Sequence, residues 1–141
     1  MTPESQVIVY NPDVNLTERK SALNNNIQEV VTVGDLKGYK VYTALLTQLG
    51  AAVPTANVLE NSIGPIVWTR FARGRYIATL SEAFVTSKTY ITASLSYGAG
   101  IAIYSQTAYV DSSDLRVYTF DLAGNTADAN AIISVEIRVY N

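Results

Sequence analysis

Two pairs of acids stand close together in this sequence, Asp111 with Asp114 and Asp121 with Asp128. Paired carboxylates are the equipment of glycoside hydrolysis, where one acid protonates the leaving oxygen and the other attacks or activates water. Acids also cap turns, and both pairs lie in stretches rich in Ser, Asn and Gly, where capping is the commoner role. Asp121, Asn125, Asp128 and Asn130 would together offer several oxygens to calcium, yet the segment lacks the spacing and the closing Glu of an EF-hand loop. The chain has no cysteine and no histidine. That excludes thiol catalysis, disulfides, serine–histidine relays and zinc sites of the Cys/His kind. The expectation is a protein that is not an enzyme and holds neither cofactor nor metal, with a small glycan-cleaving enzyme built on Asp and Glu alone as the remote competitor.

Arg70, Arg73 and Arg75 cluster with Trp68, Phe71 and Tyr76 among them. Arginine would contact anionic oxygens while the aromatic faces stack, an arrangement suited to a sulfated glycan or a nucleic acid. The plainer alternative is that alternate residues face opposite ways, so that Trp68 is buried and Arg70 pairs with an acid of its own or a neighbouring chain. The net charge of −2 gives no reason to expect nucleic acid or an anionic membrane as partner. Ten tyrosines exceed the need of one small core. Among Tyr90, Tyr97, Tyr104, Tyr109 and Tyr118, some are expected in a subunit contact or a sugar-binding surface, with cross-strand aromatic pairing as the competing account. The ligand-binding candidates are Arg70, Arg73, Arg75, Tyr97 and Tyr104.

The elements that must position these residues are strands. Val, Ile, Thr and Tyr supply just over a third of the 141 residues, and these types suit a pleated, half-buried surface. From Tyr39 onward, alternating runs recur at short intervals with turn chemistry between them: Tyr39 to Leu49, Ala56 to Glu60, Ile66 to Phe71, Arg75 to Leu80, Thr89 to Tyr97, Ile101 to Tyr109, Leu115 to Asp121 and Ala131 to Tyr140. Ala72-Arg73-Gly74 predicts a hairpin, and Gly98-Ala99-Gly100 predicts a second of similar design. The fold class is all-β, an antiparallel, jelly-roll-like β-sandwich of about eight strands over residues 38–141. Charged residues make up only 16% of the chain, against about 25% in ordinary domains. A surface so poor in charge is expected to be covered in part by another subunit.

Residues 1–37 differ in character and predict a short N-terminal arm or helix. Asn15 suits an N-cap, and Leu16, Lys20, Leu23, Ile27 and Val30 follow at spacings of four and three, those of a short coiled-coil seam. An extended arm that orders only on its partner is the competing reading. No basic segment followed by a long apolar run opens the chain, so no secretory signal is expected, and no run approaches the about 18 apolar residues that span a bilayer.

Several stretches resemble small virion-associated proteins of tailed bacteriophages, particularly those of Bacteroides-type gut bacteria. They are Gly38-Tyr39-Lys40-Val41-Tyr42-Thr43-Ala44-Leu45-Leu46-Thr47-Gln48, Asn57-Val58-Leu59-Glu60-Asn61-Ser62-Ile63-Gly64, Val67-Trp68-Thr69-Arg70, Gly74-Arg75-Tyr76 and Val135-Glu136-Ile137-Arg138-Val139-Tyr140-Asn141. The resemblance is one of phrasing and order over residues 38–141. It implies a fibre, head-decoration or tail component located in the virion and assembled as a homotrimer. Residues 1–37 would then join other virion proteins, with Leu16, Leu23 and Ile27 as attachment candidates, and the sandwich would project toward host surface glycan. A bacterial extracellular carbohydrate-binding module without catalytic activity is the alternative from another class.

Overall fold

The computed structural model describes residues 37–96 and 101–141, which belong to one compact unit, Val33–Asn141. The attachment candidates Leu16, Leu23 and Ile27, the arm itself, Tyr97 and the Gly98-Ala99-Gly100 turn lie outside the described residues.

Alternation decides which way each side chain points, and the longest strands show it best. β1 (Tyr39–Gln48) turns Tyr42, Ala44, Leu46 and Gln48 inward. β8 (Ala131–Tyr140) turns Ile133, Val135, Ile137 and Val139 inward and pairs antiparallel with β1 over ten residues, from Tyr39↔Tyr140 to Gln48↔Ala131. β2 (Thr55–Asn61) flanks β1, and β5 (Thr89–Leu95) flanks β8, which makes a four-stranded sheet in the order β2-β1-β8-β5. The second sheet holds β3 (Val67–Ala72), β4 (Arg75–Thr79), β7 (Asp114–Phe120) and β6 (Tyr104–Tyr109), in the order β3-β4-β7-β6. Every pairing is antiparallel, as expected of a double-sheet sandwich.

Between the sheets lie Tyr42, Leu46, Trp68, Tyr76, Phe84, Leu115, Val117, Ile133 and Ile137, all buried. The polar tips in this core are satisfied, as burial demands. Trp68 Nε1 donates to the Tyr42 hydroxyl at 3.1 Å. Buried Gln48 donates to the carbonyls of Gly50 and Ala52 and accepts from the Asn130 amide, which fastens the end of β1 to the start of β8.

The hairpin expected at Ala72-Arg73-Gly74 is present. The expected second hairpin, Thr89 to Tyr97 with Ile101 to Tyr109, is not. β5 pairs with β8 and β6 with β7, so the chain crosses from one sheet to the other between them. The two edges still meet, through side chains instead of a backbone ladder. Ser105 Oγ donates to the Ala93 carbonyl at 2.7 Å and Thr107 Oγ1 to the Ile91 carbonyl at 3.2 Å. Alternation specifies a strand's inner face and leaves its partner open. Here two small inward hydroxyls satisfy edge carbonyls that would otherwise be left without a partner.

Gly74 carries the tightest steric constraint. Its φ is +63°, and a Cβ placed there would lie 2.6 Å from the carbonyl oxygens of Thr119 and Ala127. Gly74→Ala therefore meets both the left-handed penalty and a clash with backbone that has no room to yield. The substitution is expected to cost about 3 kcal/mol, read as a lower urea midpoint with unchanged slope. Gly50→Ala, with nothing within 4 Å of the added Cβ, serves as the comparison and loses only the left-handed term.

Candidate functional site

The sequence candidates separate once the strands are placed. Arg70 follows Trp68 on the inward side of β3, and its guanidinium is committed to Asp128: Nε donates to Oδ1 at 2.9 Å and Nη2 to Oδ2 at 2.8 Å. Both side chains are largely buried, at 19% and 14% exposure. The same carboxylate accepts from the Gly74 amide at 2.9 Å and from the Tyr76 hydroxyl at 3.4 Å, and that hydroxyl accepts from the Ala129 amide at 3.1 Å. Arg70 is thus a structural arginine, the plainer of the two sequence readings. Arg73 is exposed on the hairpin turn.

The acids fall into similar structural duties. Asp111 Oδ1 accepts from the amides of Ser113 and Asp114, which closes the turn between β6 and β7. Asp114 accepts from Thr79 Oγ1 at 2.7 Å. Asp121 accepts from the Asn125 amide in the turn after β7. With Asp128 on Arg70 and Asn130 Oδ1 receiving the Gly50 amide, three of the four side chains considered for calcium, Asp121, Asp128 and Asn130, already accept from backbone or neighbours. Among the described residues no group of three or more acids is placed to hold a metal ion.

Arg75 and Tyr104 do come to one surface, the outer face of the second sheet. Because Leu115, Val117 and Thr119 of β7 point inward, Asp114, Arg116, Tyr118 and Phe120 point outward. Arg75 of β4 and Gln106 of β6 lie opposite Tyr118, Ile77 and Ala108 lie opposite Arg116, and Tyr104 lies opposite Phe120. The Tyr104 and Phe120 rings stack with centroids 5.0 Å apart and planes 14° from parallel, and Tyr118 follows at 6.3 Å from Phe120. At the other edge Phe71, 43% exposed, lies beneath the Arg116 guanidinium at 5.0 Å. Such cation–π contact holds the guanidinium plane without using its N–H donors. Arg116 Nη1 reaches the Tyr118 hydroxyl only at 3.4 Å, and its buried Nε has no partner. No acid of the described residues lies within ion-pair distance of Arg75 or Arg116.

Sequence reasoning had Arg75, Phe71, Tyr104 and Tyr118 in hand but missed Arg116 and Phe120. The signal for both was the outward phase of β7, where charged and aromatic residues alternate with an apolar inner set. This face offers fixed aromatic surface and uncommitted arginine donors, the composition of a recognition surface. A separate cleft of about 310 Å³ lies at the opposite end of the sandwich, lined by Lys40, Ile63, Glu82, Val85, Val139 and Tyr140. Its acid Glu82 already accepts from Ser112 Oγ. Comparison with protein families, curated proteins and solved structures found no match.

The Arg70 hydrogen bonds hold the Asp128 carboxyl below its ordinary value of 3.8, with the Gly74 amide adding to them. A depressed carboxyl stabilises the fold fully above the unfolded value, and the contribution is lost as pH falls through the folded one. Asp128→Asn is expected to cost about 2 to 3 kcal/mol at pH 7. It should also flatten the loss of stability expected of the native protein as pH falls below the ordinary carboxyl value, read from urea titrations at successive pH values. An acid limb unchanged by Asp128→Asn would show that other carboxyls govern it.

Proposed function

We propose that the chain is a non-catalytic structural component of a bacteriophage virion, a fibre or decoration protein, assembled as a homotrimer and touching host surface saccharide through the outer face of its second sheet. The observation that carries this reading is that face: Phe71, Tyr104, Tyr118 and Phe120 are held in place by one another and by Arg116 on a rigid sandwich, with donors that the fold itself does not use. The virion setting rests on the resemblance of residues 38–141 to virion-associated proteins.

The layout of the sandwich supports the reading further. Lys37 and Asn141 stand at one end, where the Asn141 amide bonds to the Gly38 carbonyl. The opposite end carries the hairpin turn with Arg73 and the turn with Leu122, which is 87% exposed. A sandwich held at the first end would present the second. Self-association is assigned to the edge strands β2 and β3, where among the described residues Val58, Leu59 and Val67 are exposed. Apolar side chains on an uncovered edge are a liability unless a neighbouring subunit covers them.

Light scattering on the full chain is expected to give three times the 15.3 kDa protomer mass at micromolar concentration. Leu59→Glu with Val67→Glu should shift it toward the monomer without lowering the thermal midpoint of the monomeric unit. A native monomer would remove the trimer. A monomer that still binds saccharide would favour the alternative, an extracellular carbohydrate-binding module. Finding the protein in purified particles of the phage that encodes it tests the virion assignment directly.

A further inference from the structure

The two outer sheet faces are built alike but differ in how their arginines are neutralised. On the first sheet, Arg138 of β8 lies 4.8 Å from the Tyr39 ring centroid, and Tyr39 packs on Tyr140 at 5.2 Å. Glu136, two residues back on the same strand and face, sits 2.6 Å from Arg138 and completes the charge pair. On the second sheet, Arg116 lies over Phe71 in the same manner, and the acid two residues back is Asp114. Asp114 receives the Thr79 hydroxyl, and the bridge to Arg116 is not made. Arg75 sits diagonally across from Arg116, since Arg75 pairs with Tyr118 and Ile77 with Arg116. Long side chains at diagonal positions reach the same point above a sheet.

From this juxtaposition we infer that the outer face of β3-β4-β7-β6 binds a carboxylate-bearing saccharide, with Arg116 and Arg75 receiving the carboxylate and Tyr104 and Gln106 meeting the adjoining sugar. The inference deepens the proposed host contact and rests on it for the choice of a saccharide.

Three observations carry the choice of an acidic ligand, and the stacked rings and the net charge add to the choice of a saccharide. Two arginines on one face have no acid partner among the described residues. The Nε atoms of Arg116 and Arg138 are both buried without a hydrogen-bond acceptor, but Arg138 has Glu136 within ion-pair distance, whereas no acid of the described residues comes that near to Arg116. The Phe71 ring fixes the guanidinium plane, so that little freedom remains to be lost when a carboxylate docks bidentately. The stacked Tyr104 and Phe120 rings give the apolar face of a sugar a preformed neighbour at the margin of the sheet. The net acidity of the whole chain disfavours a polyanion that would track along it, such as a nucleic acid, and leaves a ligand whose charge is local and spaced by neutral sugar atoms.

The test is calorimetric titration of the full-length chain with an oligogalacturonate, a hyaluronan fragment and sialyllactose, each beside a neutral counterpart: the methyl-esterified oligogalacturonate and hyaluronan, and lactose. At least one acidic saccharide is expected to bind about tenfold or more tightly than its neutral counterpart, with affinity falling as salt rises. Arg116→Gln should reduce that binding to the level of the neutral form, and Arg75→Gln should reduce it in part. Tyr104→Ala should weaken acidic and neutral forms alike, while Lys88→Ala, on an exposed lysine outside this sheet, changes neither. Arg116→Lys retains charge without the bidentate fork and is expected to fall between the native protein and Arg116→Gln. Thermal melts of each variant confirm folding, and Arg75→Gln, on an exposed residue, keeps the test valid if Arg116→Gln unfolds. Equal affinity for acidic and neutral forms, or binding unaltered in both arginine variants, overturns the inference while leaving saccharide contact standing. Binding to none of the six overturns both it and the saccharide part of the proposed function, with the trimer still judged by its mass. Tighter binding of polyglutamate than of any saccharide overturns the saccharide assignment in favour of an acidic peptide.

Discussion

The Asp128 carboxylate is the point on which the rest of this sandwich depends. It lies in the connection that carries the chain from β7 in one sheet to β8 in the other, and it binds Arg70 of β3, the Gly74 amide of the hairpin turn and the Tyr76 hydroxyl of β4. A segment with no ladder of its own is thereby attached to the hairpin across more than 50 residues of sequence. Around it Gly74 approaches Thr119 and Ala127 so closely that no side chain fits, and the Thr119 amide donates to the Gly74 carbonyl. Charge-assisted bonds in a largely buried setting are stronger than neutral ones, and each of these removes a donor that would otherwise be stranded. The result is a fixed end of the second sheet.

That rigidity bears on the outer face. The hairpin turn, the end of β7 and the start of β6 meet at this end, so Arg75, Tyr118, Phe120 and Tyr104 all stand within a few residues of the Asp128 junction in their own strands. A recognition surface made of aromatic rings and arginine loses least on binding when its side chains are already held. Here the holding comes from beneath, through the junction, and from the side, through ring stacking and the Arg116 contact with Phe71.

How much of this was legible in the sequence follows from what each physical signal encodes. The eight strands of the described residues were placed with nearly correct ends, because period-two alternation is local and the inner residues of β1, β7 and β8 are strongly apolar. The β3–β4 hairpin was legible through Gly74. Partners were not: the reading of β5 and β6 as a hairpin took nearness in sequence for pairing, and nothing in Ser105 or Thr107 announced that their hydroxyls would bond to edge carbonyls of the other sheet. Arg70 and Arg75 were separable in principle, since Trp68 and Tyr76 set the inward phase on their strands. The identity of Arg70's partner was not, because Asp128 lies far along the chain and looked like any other loop acid. Arg116 and Phe120 were overlooked for the opposite reason. They sit in an ordinary strand with no motif, and only the cross-strand register places them beside Arg75 and Tyr104.

The difference between the two outer faces comes down to the neighbours of two acids, each two residues before an arginine. Glu136 in the middle of β8 has its arginine within ion-pair distance. Asp114 is one methylene shorter, begins β7 where the turn from β6 closes, and finds a closer donor in Thr79 across the strand pair. The turn itself engages the backbone amide of Asp114 with Asp111, while the Asp114 side chain accepts from Thr79. The requirement to close a tight turn thereby removes the acid that would have neutralised Arg116. On the outer face of the first sheet Arg138 keeps an acid within ion-pair distance, and on that of the second Arg116 lies over Phe71 with no acid of the described residues so near.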